Sequence, residues 1–130
     1  MKTLSRIALA SLIVTFFTAQ SFASDPNSKL VEKAKEAVAN ADTDDWETLA
    51  QSAEICFMKD ENVEEAAIWI NQSIQIKETA YNLEVKGDYL SSIGEKQEAI
   101  RCYYTAIIRA KDMDPDANTS KLQRKVWKLR

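Results

Sequence analysis

The chain has 130 residues, a net charge of −3 and no histidine. That length makes one small domain with a single core. Lack of histidine removes the commonest general base, the serine–histidine triads and most transition-metal sites, and the acidic balance opposes nonspecific binding to nucleic acid or anionic membrane.

Residues 1–23 read as a cleavable secretory signal peptide. Lys2 and Arg6 form a positive start, and residues 7–17 are apolar except for Ser11 and Thr15. Ser21 and Ala23 then place small residues where a signal peptidase cleaves. The apolar run is shorter than the about 20 residues a permanent span needs. Cleavage would remove two cations and leave a more acidic protein, soluble after export. The compact signal resembles bacterial ones, so a periplasmic or secreted location is expected.

The rest reads as all helix, because glycine and proline occur only twice each and Ala, Glu, Lys, Leu and Ile abound. About six helices are expected after the leader. Asp25 and Pro26 pair a capping acid with a first-turn proline and open a flanking helix, within residues 24–43, that runs to about Asn40. Asp44 with Glu47 resembles a capping box, opening a second helix to about Met58. Asn62 with Glu65 opens a third, to about Lys77. A fourth follows a junction near Thr79 and ends near Ser92, where Gly94 suits the left-handed position past a helix end. The fifth spans about Lys96 to Asp112. Asp114 and Pro115 repeat the cap-plus-proline pattern, predicting a sixth, capping helix over residues 116–130.

Apolar residues recur at helical spacing in these segments. The second helix has Trp46, Ala50, Ala53 and Phe57; the third has Ala66, Ile70 and Ile74; the fifth has Ala99, Tyr103, Ala106 and Ala110. Such stripes joined by short turns make antiparallel helix hairpins. Acids cluster at Asp42, Asp44, Asp45 and Glu47, and again at Asp60, Glu61, Glu64 and Glu65. Both clusters start helices, where the dipole favours acids, so capping is preferred to catalysis. The basic tail (Lys121, Arg124, Lys125, Lys128, Arg130) reads as a terminal helix whose cations suit its C-terminal end, with Leu122, Val126 and Leu129 turned to the core.

Glu65, Ala66, Ala67 and Ile68 share their context with Glu98, Ala99 and Ile100, and Ala66 and Ala99 lie 33 positions apart. That period belongs to stacked helical repeats. Leu83, Gly87 and Leu90, then Gly94, then Ala99, Tyr103 and Ala106 make a unit that resembles the tetratricopeptide repeat. Ala66 and Ile70 hold the matching packing positions of a more degenerate unit before it. The pattern departs from the family at Lys86, where a leucine is usual, at Glu54, where a small residue is usual, and at Pro115, which comes late.

The resemblance covers residues 44–115 as two hairpins. It implies a short right-handed solenoid whose concave groove is lined by the first helix of each unit, at Gln51, Ile55, Met58, Tyr81, Glu84 and Asp88. The function it implies is recognition of a protein or peptide partner, with no catalysis and no cofactor or metal. A scaffold segment that self-associates is the alternative, and a carboxylate-based hydrolase a remote one. In this arrangement Cys56 and Cys102 fall on helices that are not nearest neighbours. A disulfide needs Cα atoms within about 7 Å, so the two thiols are expected not to be joined.

Overall fold

The computed structural model describes residues 26–130, and among them are six helices and no strand. These are α1 (Pro26–Asn40), α2 (Trp46–Lys59), α3 (Val63–Ile76), α4 (Ala80–Ser92), α5 (Lys96–Met113) and α6 (Ser120–Leu129). The leader expected at residues 1–23 and the Asp25 cap lie outside the described residues. None of the described helices is long and apolar enough to cross a membrane.

Local chemistry sets the helix ends. The cap of α2 is Asp45 and not Asp44: its carboxylate accepts a 2.9 Å hydrogen bond from the Thr48 amide. Asp44 instead lends its carbonyl to the Trp46 amide. At the far end Asp60 turns left-handed (φ 53°), and its N–H reaches the Cys56 and Phe57 carbonyls. Asn62 precedes α3 but is itself left-handed and makes no side-chain cap; its amide donates to Glu65. Gly94 takes φ 85°, which a residue without Cβ adopts freely, while the Glu95 N–H closes the turn on the Leu90 carbonyl.

The α3–α4 junction has no glycine or proline and is held by a capping box. Thr79 Oγ1 accepts from the Asn82 amide, and Asn82 Oδ1 accepts from the Thr79 amide at 2.9 Å. Asn82 is fully buried. Its Nδ2 donates to Ser73 Oγ at 3.0 Å and to the Lys77 carbonyl at 2.8 Å, and Ser73 in turn donates to the Trp46 carbonyl at 2.6 Å. One buried polar chain therefore ties α2, α3 and α4 together, with each member partnered as a low-dielectric site requires.

The sixth helix starts later than the Asp114–Pro115 signal predicts. Asp114 Oδ1 accepts from the Asp116 amide and its carbonyl from the Ala117 amide, which makes a turn. Asn118 Oδ1 then accepts from the Ser120 amide at the true start of α6. The proline opens a turn here because the acid before it is spent on that turn instead of on a helix.

Successive helices pack pairwise, with α2 on α3 and α4 on α5 as hairpins; α1 lies on α2, α6 on α5, and α2 also lies beside α4. The core has two parts. The first gathers Val31 and Ala34 of α1, Ala50, Ala53 and Cys56 of α2, and Ala66, Trp69 and Ile70 of α3. The second gathers Leu83, Ala99, Tyr103, Ala106, Leu122 and Val126. Ile74 packs against both. Alanine at the crossings lets the helices approach, and each fully buried aliphatic such as Ile70 contributes about 1.5–3 kcal/mol. Of the residues expected to pack the hairpins, Ala66, Ile70, Leu83, Gly87, Ala99, Tyr103 and Ala106 are buried, and Leu90 is half-buried against the second part. Gly87 faces the Tyr103 ring so closely that a Cβ there would meet it at 2.5 Å.

Candidate functional site

The face shared by α2 and α4 carries most of the residues expected to line a groove. Gln51 and Met58 are exposed on α2, Met58 to 75%. Ile55 is not an exposed contact: it packs against the first core, because α2 buries the line Leu49, Ser52, Ala53 and Cys56, and Ile55 borders it. Tyr81 is also half-buried there, and its hydroxyl donates to Glu54 Oε2 at 2.6 Å, bridging α4 to α2. Burial pushes the Tyr81 phenol well above its ordinary range, helped by the Glu54 hydrogen bond and by the charges of Glu54, Glu47 and Glu84.

Glu84 and Asp88 are both engaged by lysines of α6, although Asp88 stays exposed. Lys125 of α6 places Nζ 2.6 Å from Glu84 and 2.6 Å from both Asp88 oxygens, and Lys121 reaches Glu84 at 2.7 Å. The Lys125 ammonium also lies 5.6 Å from the centre of the Tyr103 ring, whose hydroxyl donates to Asp88 at 2.7 Å. Burial alone would raise the Glu84 carboxyl, but the two lysines outweigh it and hold it below its ordinary value. Burial likewise opposes the Lys125 charge, yet Asp88 and Glu84 hold its pKa above the ordinary value. The tail cations thus do more than face a helix end: two of them fasten α6 to α4.

Phe57 and Tyr89 join the site although neither stood out as a binding residue. Their rings stack across α2 and α4 with centroids 4.3 Å apart and 12° between planes. With Glu54, Met58, Val85, Asp88 and Ser92 they line a cleft of about 220 Å³. Phe57 read as core because it continues the Ala50–Ala53 spacing, yet Cys56 is the residue fully buried on that turn. The signal available was an aromatic residue in each of two helices already read as equivalent.

A second cleft, of about 490 Å³, opens at the other end of α2 and α4, between Trp46, Ala80, Tyr81, Ala110 and Met113. Its rim charges are engaged with one another. Arg109 pairs with Glu78 at 2.7 Å and Asp112 at 3.1 Å, and Lys77 lies 5.4 Å from the Trp46 ring centre.

No group of three or more His, Cys, Asp or Glu side chains among the described residues is arranged to hold a metal ion. The acidic clusters sit at turns; the Asp45 carboxyl is held below its ordinary value by its hydrogen bonds to Thr48, as a cap is. Both thiols are free, Cys56 buried and Cys102 half-buried, and burial raises the pKa of each. No protein-family model, curated protein or solved structure matches the chain.

Proposed function

We propose that the protein is an exported, non-catalytic interaction module of tetratricopeptide-like build, which holds a peptide or protein segment along the α2–α4 face. The stacked Phe57–Tyr89 pair carries this reading: it forms an aromatic cleft beside the exposed thioether of Met58, where a partner side chain finds apolar contact. The 33-residue offset of the two hairpins and the contact of α2 with α4 support a repeat architecture in which these two would be the equivalent first helices. A short stack offers a small surface, so affinity rests on a few anchors and rises with multivalency.

Photo-crosslinking tests the reading. A crosslinker at Met58 should trap a discrete partner in the exporting compartment, whereas one at Ile68 on α3 or Ile108 on α5, both also exposed, should not. Equal trapping at all three positions would refute recognition through the α2–α4 face. Self-association is the second reading, favoured by Trp127, which is 75% exposed on α6. A concentration-dependent mass abolished by Trp127→Ser would support it.

A further inference from the structure

The α2–α4 cleft is too small for a drug-sized ligand, whose pockets run to about 300–1,000 Å³, but it suits one large apolar side chain. What else the bound segment carries follows from the charges around the cleft. Glu47, Gln51, Glu54 and Met58 succeed one another along one face of α2, with Gln51 Nε2 donating to Glu47 and Tyr81 to Glu54. Asp88 faces Glu54 and Met58 across the cleft from α4, with Glu84 one turn before it. Lys121 and Lys125 neutralise those two α4 acids, while no Lys or Arg nitrogen among the described residues lies within ion-pair distance of Glu47 or Glu54. Glu54 and Asp88 also line the cleft itself.

The same surface shows how it holds an ammonium group. Lys125 sits between two carboxylates and over a tyrosine ring. Glu47 and Glu54 beside Tyr81 offer the same ingredients, two acids and a phenol, without a cation of this chain. We propose that the segment recognised by the α2–α4 face is a basic–apolar peptide, with one large apolar side chain in the Phe57–Tyr89 cleft and Lys or Arg close by, facing Glu54 and Glu47. The inference rests on the α2–α4 face being a binding surface. It adds the class of partner: a cationic segment of another protein, not an acidic one.

Two pools of dye-labelled synthetic peptides test it, each with a fixed leucine or phenylalanine. One pool has flanks drawn from Lys, Arg and small neutral residues, the other from Asp, Glu and the same neutrals. Fluorescence anisotropy with the full processed chain should show the basic pool binding more tightly, and more weakly as salt rises. Glu54→Gln keeps an acceptor for Tyr81 and should weaken the basic pool by about threefold, and Glu47→Gln with Glu54→Gln by about tenfold, the scale of exposed charge pairs. Ser92→Lys, at an exposed cleft position, should act in the same direction. Equal or tighter binding of the acidic pool, or no effect of Glu54→Gln, would overturn the charge assignment and leave the face as a binding surface. Failure of both pools to bind the wild type would overturn that reading as well.

Discussion

Gly87→Ala gives a prediction whose sign depends on the packing described above. On an open helix surface the change would stabilise by roughly 1 kcal/mol through helix propensity. Here the new Cβ would lie 2.5 and 2.8 Å from two carbons of the Tyr103 ring. That ring is 2% exposed, and its hydroxyl is fixed 2.7 Å from Asp88, so it has little room to slide away. Overpacking of this kind costs about 1–3 kcal/mol, and a held ring belongs in the upper half of that range. The net loss is then about 1–2 kcal/mol, or a fall in melting temperature of roughly 5–10 °C for a domain this size. Thermal denaturation followed by circular dichroism measures it. The same substitution made on Tyr103→Leu should raise stability, because the ring is gone and the propensity gain remains. A higher melting temperature for Gly87→Ala in the native background would refute the close α4–α5 crossing.

Three further outcomes are expected. Asn82→Ala strips partners from the Thr79 amide, the Lys77 carbonyl and Ser73, and should cost about 3 kcal/mol in denaturant unfolding; a loss near zero would show that the buried chain is not structural. The docking of α6 should depend on pH. Glu84 is held below its ordinary value of 4.5, so its contribution is complete above that value and is lost as pH falls through the lower folded one. Lys125 is held above its ordinary 10.5, so its contribution is present below that value and is lost only as pH rises past the folded one. NMR signals of Leu122 and Val126 should therefore stay unchanged through the neutral range and shift on acidification, and Lys125→Met should bring about the same loosening at neutral pH. Finally, alkylation at neutral pH should modify Cys102 slowly and Cys56 only after unfolding, with no link between them in nonreducing mass analysis; rapid labelling of Cys56 would contradict its burial.

What the sequence made legible was short in range. Helix periodicity, the Gly94 turn and the Ala66–Ala99 offset each depend on residues a turn or one hairpin apart, and they located six helices within a few residues. The Asp45 cap was missed by one position because adjacent aspartates offer equivalent side chains, and only backbone geometry chooses between them. The late start of α6 was missed because an acid before proline caps a helix or makes a turn with the same two residues. Long-range polar contacts left no local mark. Ser73 reaches the carbonyl of Trp46 across 27 positions and Lys125 reaches Glu84 across 41, and neither is written in a spacing. For that reason Glu84 and Asp88 read as groove residues with no lysine against them, while Phe57, which forms the cleft with Tyr89, reads as core.

Recognition of a partner segment by the α2–α4 face has a residue-level readout. Isotope-labelled protein titrated with a basic, leucine-containing peptide tests it most directly, by following amide shifts residue by residue. Saturable changes should centre on Gln51, Glu54, Met58 and Tyr89, with Ile68 and Ile108 unmoved. Changes centred on α3, α5 or Trp127, with that face silent, would contradict it.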